Sequence, residues 1–380
     1  MPTRVRSYSK INLGLAIGPI RTDGFHSLTT LYQTLDLHDL VTVSAHRAAS
    51  TRIALTTNHP YVPRDNKNTA WRMVERCLTR LGLSAKVEIH IEKILPVQGG
   101  LGAGSANAAA ALIALEHELN LSLPPVERLH LAAEIGSDVP LFLLGGAVLG
   151  LGRGEQVTPL PDLPPTYCVI AVPAIGVSTP AAFREWDARQ AANSRPDLTS
   201  SPQPDRLSEL SLAYSSLSAR SGESLPGMTG SSKSGTSGIL RVHNPEKKRD
   251  QPDEMQAETL NDLAENPLLA LVRTGIGNDT SQGLENDFEE VVFPQYPSLR
   301  ITKRQLMGED SGSPALYAAL SGSGSALFGL YRSEADAKAA QQRVQSATSA
   351  IAVKTFLTET LPRAGYWDKM FASVPSPGFD

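Results

Sequence analysis

The chain has 380 residues, 41% hydrophobic and 19% charged, with Lys+Arg 35 against Asp+Glu 39 and a formal net charge of −4. That length suits two domains of ordinary size. The absence of a basic surplus excludes a protein that binds by neutralising the phosphates of a nucleic acid. Two cysteines, Cys77 and Cys168, are too few for a disulfide framework and stand in no metal-ligand spacing, which excludes a structural zinc site and suits a reducing cytoplasm.

In residues 4–17, Ile11, Leu13, Leu15 and Ile17 alternate with Lys10, Asn12, Gly14 and Ala16, the period of a half-buried strand. Arg4 and Arg6 ahead of this run imitate a signal peptide, but Lys10 and Asn12 interrupt it and no small-residue cleavage site follows, so a cytoplasmic protein is expected. TDGFHSL (22–28) reads as a hairpin tip and 28–43 as the returning strand. Residues 68–82 read as a helix with Asn68 as N-cap and Trp71, Val74, Leu78 and Leu81 at helical spacing. VEIHIEK (87–93) alternates again as a strand, and residues 97–120 form a glycine loop running into an alanine-rich helix. A helix over 126–134, a turn at Gly136–Ser137, a short helix opened by Asp138, and strands near 146–151 and 167–172 follow.

The apolar stretch 139–152 contains four glycines and falls short of the about 20 residues a membrane span needs, so it reads as core. Strands and helices mix without a regular βαβ rhythm, which predicts an α+β fold. From 190 to 258, Ser, Pro, Gly and Thr dominate and hydrophobic periodicity vanishes. A stretch of this kind cannot bury enough apolar surface to offset its chain entropy, and it reads as a disordered, tolerated insertion. Order is expected again from about 259, with SGSGSALFGLY (321–331) as a glycine turn feeding a strand, and with 363–380 as a tail.

The strongest chemical signal is the loop Pro96, Val97, Gln98, Gly99, Gly100, Leu101, Gly102, Ala103, Gly104, Ser105, Ala106. Glycines at a strand-to-helix junction let backbone N–H groups and the positive end of a helix approach an anion such as phosphate. No Lys follows the glycines, which excludes a Walker loop, and Glu116 and Glu118 lie in the same helix rather than on a second strand, which excludes a dinucleotide fingerprint. Protein-kinase signatures are absent. Asp138 in GSDVP reads by itself as a helix N-cap, Lys10 and Asn12 as neighbours on one strand face roughly 7 Å apart at about 3.3 Å per residue, and SGSG (321–324) as a turn.

In their order along the chain, SKINLGL (9–15), TDGFHSL (22–28), PVQGGLGAGSANAA (96–109), GSDVPLFL (136–143), VSTPAAF (177–183), ENDFE (285–289) and SGSGSALF (321–328) resemble the GHMP kinase superfamily, and DGFH, GSDVP and Thr-Pro-x-x-Phe its diphosphocytidyl branch. The resemblance implies an N-terminal lobe over 1–160 like the second domain of ribosomal protein S5, and a ferredoxin-like α/β lobe over 161–362. It also implies an ATP-dependent kinase, with magnesium on the phosphates, that phosphorylates the 2-hydroxyl of a cytidine-diphosphate methylerythritol. By the same resemblance Lys10 and Asp138 are the catalytic pair, and Asn68 and residues 96–106 hold ATP. Asn12 and Thr179 hold the methylerythritol hydroxyls, Phe25 and Phe183 sandwich cytosine, His26 bonds the base edge, Tyr32 walls the pocket, and Gly322 and Gly324 close it. Gln98, Ala103 and Ala106 depart from the family's usual PxGGGLGGGSSNAA, and Phe25 stands where Tyr is usual. A small-molecule substrate and a monomer or homodimer are expected, with neither nucleic acid nor membrane as partner. A kinase of another small alcohol, of the homoserine or mevalonate type, and a non-catalytic binding protein of the same fold are the alternatives.

Overall fold

The computed structural model describes residues 1–97, 99–193, 284–347 and 351–373. Strand β1 (Thr3–Ile20) pairs antiparallel with β2 (His26–Arg47) along nearly its whole length, from Thr3↔Val43 to Ile20↔His26. The opposite edge of β2 is shared, with residues 40–47 taking β4 (Ala85–Glu92) and residues 30–33 taking β5 (Ala147–Leu151). β3 (Arg52–Thr57), parallel to β4, and β6 (Gln156–Pro159), antiparallel to β5, complete a six-stranded sheet. Neither β3 nor β6 stands out in the sequence, because RIALTT and QVTP are short and only half apolar.

Register shifts fall at Tyr8/Ser9 and Asn12/Gly14, on either side of Lys10 and Asn12. Bulges of this kind bend a strand and re-aim its side chains. The half-buried reading of β1 needs correction, since both faces are covered. Ile11 and Leu13 pack with Ile170 and Phe328 of the second sheet, while Lys10 and Asn12 are only 3% and 2% exposed.

Helix α1 (Thr69–Leu81) is capped by Asn68, whose Oδ1 accepts from the Ala70 N–H at 2.9 Å, and ends at Gly82 in the left-handed region. Helix α2 (Ala103–Leu119) buries Ala108 to Ala111 and Ala114, small side chains that let it lie close on β1 and β2. Helix α3 (Pro125–Ile135) carries Pro at its first position, where the missing N–H costs nothing. A single 3-10 turn (Pro140–Leu143) follows, with Val139 and not Asp138 at its N-cap. The capping role expected of Asp138 is therefore absent, because its carboxylate is engaged elsewhere.

The second sheet runs β10-β7-β9-β8, antiparallel throughout, from β7 (Tyr167–Pro173), β8 (Tyr317–Leu320), β9 (Leu327–Tyr331) and β10 (Val353–Glu359). Helices α4 (Thr179–Asn193), α5 (Phe288–Gln295), α6 (Pro297–Met307) and α7 (Glu334–Ser346) go with it. Trp186, Phe288, Leu299 and Val344 from these helices share one core cluster with Val169 and Leu327 of the sheet. The α+β, two-lobed expectation holds. Residues 190–193 close α4 instead of opening the insertion, and the rest of that expected insertion, 194–258, lies outside the described residues.

The two sheets are stitched at ENDFE. Leu15 N–H donates to Glu285 O and Asp287 N–H to Leu15 O, both at 2.9 Å, and Ile17 N–H donates to Asp287 Oδ2 at 2.7 Å. Helix α8 (Arg363–Asp368) returns to the first sheet, with Tyr366 2% exposed and its hydroxyl donating to Phe142 O at 2.6 Å. Residues 363–373, expected as the start of a tail, are thus packed structure. Among the described residues no helix is long and apolar enough to cross a membrane.

Candidate active site

The loop before α2 is held in place by backbone geometry. Gly100 (φ +77°) and Gly102 (φ +72°) occupy the left-handed region, which side-chain-bearing residues enter at a cost. A Cβ on Gly100 would sit 2.2 Å from the Ser321 carbonyl oxygen, and one on Gly102 would sit 2.8 Å from Phe142 and 3.0 Å from Lys10 Cγ. The Ser321 hydroxyl donates to Gly100 O at 3.0 Å and Ala326 N–H to Gly99 O at 3.1 Å, so the first lobe's glycine loop and the second lobe's SGSG turn form one seam. Asn286 braces that turn by donating from Nδ2 to Leu320 O at 2.8 Å and Gly322 O at 2.7 Å.

A cavity of about 380 Å³ opens on one side of the seam. Asn68, Pro96, Val97, Gly99 to Ser105, Lys93 and Tyr61 line it. Ala106 is buried and absent from that lining, and Gln98 lies outside the described residues. Lys93 enters the wall through a buried pair, its Nζ donating to Asp39 Oδ2 at 2.6 Å, and desolvation holds its pKa below the usual lysine value. Asp39 Oδ1 also accepts from the N–H groups of Ile94 and Leu95, both at 2.7 Å, which fixes the chain as it enters the loop.

On the other side lies a cavity of about 580 Å³ that gathers Lys10, Asn12, Phe25, His26, Tyr32, Asp138, Thr179, Phe183 and Gly322, all singled out in the sequence. Gly324 is absent from this lining; its place in the turn leaves Gly322 as the glycine facing the cavity. Gly100 and Gly102 border both cavities. A larger groove, about 710 Å³, runs between α3 and the β5–β6 hairpin, but it holds neither Lys10 nor Asp138, so chemistry rather than volume locates the site.

At the junction, Lys10 Nζ donates to Asn12 Oδ1 at 2.7 Å and stands 3.4 Å from Asp138 Oδ2. The Tyr32 hydroxyl donates to Asp138 Oδ1 at 2.9 Å, and Asn12 Nδ2 donates to Thr30 Oγ1 at 2.7 Å. Burial, with the Asp138 charge beside it, pushes the Tyr32 hydroxyl well above the usual tyrosine range and keeps it a donor. Both carboxylate oxygens of Asp138 thus have partners, while its side chain stays 31% exposed toward the cavity. This is an ionised carboxylate held in fixed orientation beside a buried ammonium, a pair able to take a proton from a hydroxyl and stabilise developing negative charge.

The aromatic residues are arranged differently from a simple sandwich. Phe183 stacks directly on His26, with ring centroids 5.0 Å apart and an interplanar angle of 4°, and meets Phe288 edge-on. His26 uses both ring nitrogens within the protein, Nδ1 on Gly18 O at 3.0 Å and Nε2 on Asp187 Oδ1 at 3.1 Å. Phe25 is 54% exposed, with the Arg153 guanidinium 5.0 Å from its ring centroid. Arg153, Arg184 and Asp187 also line the cavity. None of the three is marked by the sequence motifs, although Arg153 lies between Gly152 and Gly154, and reading 179–193 as a helix places Asp187 one turn beyond Phe183.

Two lobes joined at a phosphate-type glycine loop, with a Lys–Asp pair at the seam, define a phosphotransferase acting on a small hydroxyl compound. Residues 68–146 match the GHMP kinases N terminal domain and residues 268–350 the GHMP kinases C terminal domain. The chain is 32% identical over 355 residues to 4-diphosphocytidyl-2-C-methyl-D-erythritol kinase of Moorella thermoacetica, covering 93% of this chain and 98% of that protein. It is 30% identical over 367 residues to the enzyme of the same name from Nostoc sp., covering 94% and 97%. Among solved structures, a 4-(cytidine 5'-diphospho)-2C-methyl-D-erythritol kinase superposes with TM-score 0.60 at 24% identity, covering 94% of this chain and 98% of that one. A homoserine kinase from Cytophaga hutchinsonii superposes with TM-score 0.56 at 19% identity, covering 94% of each. The chain belongs to the 4-diphosphocytidyl-2-C-methyl-D-erythritol kinase family of the GHMP kinases.

Proposed function

We propose that this protein transfers the γ-phosphoryl group of ATP to the 2-hydroxyl of 4-diphosphocytidyl-2-C-methyl-D-erythritol, giving the 2-phosphate and ADP. The observation that carries the reading is the Lys10–Asp138–Tyr32 cluster at the junction of two cavities that share Gly100 and Gly102. The nucleotide belongs in the cavity floored by the glycine loop, where free N–H groups and the start of α2 face its phosphates. The acceptor alcohol belongs in the larger cavity, where Asn12 and Thr179 offer polar groups to its hydroxyls.

Asp138 accepts the proton of the attacking hydroxyl. Lys10 stabilises the carboxylate beforehand and the charge developing on the transferred group afterwards. Tyr32 fixes the carboxylate's rotation by occupying the oxygen that does not face Lys10. Among the described residues no three His, Cys, Asp or Glu side chains cluster as a metal cage. The donors at hand, the Ser105 hydroxyl and the Asp138 carboxylate, fit a magnesium ion held chiefly by the nucleotide's own phosphates. When bound, that ion neutralises charge on the phosphate oxygens.

Homoserine kinase shares the fold, so fold alone does not select the acceptor. The wall of Phe25, His26 and Phe183 favours a flat base over an amino acid or a short hydroxy acid. An ADP-release assay comparing the cytidine-diphosphate sugar alcohol with homoserine and mevalonate tests the assignment. Turnover confined to the cytidine compound is expected; a preference for either of the others overturns it.

A further inference from the structure

Helix α4 carries Thr179, Phe183 and Asp187 at a constant interval of four, which places them on one face. All three line the larger cavity. Thr179 meets the SGSG turn, with its Oγ1 2.6 Å from Ser323 Oγ, and Phe183 stacks flat on His26. Asp187 Oδ1 lies 3.1 Å from His26 Nε2, while His26 Nδ1 lies 3.0 Å from the Gly18 carbonyl oxygen. The two contacts tie opposite corners of the ring to α4 and to β1. The 9% exposed imidazole is thereby fixed on three sides, by one stack and two polar contacts.

We propose that Asp187 is a positioning residue for the cytidine half of the substrate. It holds His26 flat against Phe183, so that α4 and the β1–β2 turn form one rigid wall for the pyrimidine. The inference rests on the function proposed above and adds a residue to it. Asp187 lies about 12 Å along the helix from Thr179, at 1.5 Å per residue, and touches none of the reacting groups. Its removal therefore frees a ring that the base must then order on binding, and the loss falls on substrate affinity rather than on turnover.

The test compares wild type, Asp187→Ala and Asp187→Glu in the full chain, using the ADP-release assay with the cytidine-diphosphate sugar alcohol. Asp187→Ala raises KM for that substrate about two- to tenfold, the size expected for the net loss of one intramolecular hydrogen bond. It leaves kcat and the KM for ATP within about twofold, and the glutamate variant recovers much of the loss. In 15N-labelled protein, the His26 Nε2 signal moves in Asp187→Ala. An unchanged KM for the cytidine substrate, an equal loss in kcat or in ATP affinity, or unmoved His26 shifts overturns the proposal. Wild-type protein inert toward the cytidine substrate overturns the underlying function instead. In that case a moving Nε2 shift still identifies the contact as structural only.

Discussion

The Tyr32 hydroxyl donates to Asp138 Oδ1 at 2.9 Å, joining a strand of the first sheet to the turn that follows α3. The space for its ring is made by glycine. A Cβ on Gly150 would sit 2.6 Å from Tyr32 Cε2, and one on Gly154 2.4 Å from its hydroxyl. Tyr32→Phe keeps the packing of a side chain that is 2% exposed and removes only the donor. The expected result is a kcat roughly 10- to 150-fold lower, with both KM values nearly unchanged, since a hydrogen bond to a charged group contributes about 1.5–3 kcal/mol. Because burial and the Asp138 charge raise the Tyr32 pKa well above 10.0, the hydroxyl stays protonated up to that pH. The wild-type kcat–pH profile therefore shows no basic limb from this group below about pH 10.

Asp138→Asn separates chemistry from folding. The 3-10 turn is capped at Val139, so helix capping is not lost with the charge. Asn keeps a carbonyl oxygen for Tyr32 but cannot take a proton. A melting temperature close to wild type with kcat lower by about 10²–10⁴ is expected, the range for loss of a general base. Wild-type turnover in this variant would remove Asp138 from the mechanism.

Two glycines of one loop are expected to respond in opposite ways. Gly100→Ala forces a Cβ to within 2.2 Å of the Ser321 carbonyl at φ +77°, so the seam must open. A thermal shift assay registers this as a melting temperature several degrees lower, with ATP binding weakened. Gly104 is inside α2, with a built Cβ no closer than 3.5 Å to Thr69 Oγ1. Gly104→Ala leaves the melting temperature level or higher, because Ala outranks Gly in a helix by about 1 kcal/mol, yet raises the KM for ATP by crowding the phosphate cavity.

Phe183→Ala removes a ring that stacks on His26 and meets Phe288 edge-on. Stacking of a base on an aromatic side chain contributes about 1–3 kcal/mol, so the KM for the cytidine substrate is expected to rise roughly 5- to 150-fold. The KM for ATP stays unchanged, because the nucleotide cavity does not include Phe183. A variant that weakens ATP and spares the cytidine substrate would assign the ring to the core.

What the sequence discloses of this site is local. Lys10 and Asn12 stand two apart on a strand, and the glycines of 99–104 run directly into a helix; each relationship is contained in a single short stretch. Asn286 is different, because it acts by bonding carbonyls at 320 and 322, and no spacing along the chain reveals that pairing. The same holds for Asp187 and His26, which are brought together only when α4 packs across the β1–β2 turn. Asp138 shows the opposite problem. Its local pattern, Asp before Val-Pro, describes a helix cap, and the distant Tyr32 and Lys10 draw the carboxylate away from that role.

The shared border of the two cavities bears on inhibitor design. Gly100 and Gly102 line both chambers, so the glycine-loop cavity and the Lys10–Asp138 cavity meet along these two residues. A single ligand carrying an adenosine phosphate at one end and a cytidine-like base at the other would span that shared border. Once its first end docks, the second is confined beside its own chamber at an effective concentration set by the tether, so the linked compound gains affinity that neither fragment has alone.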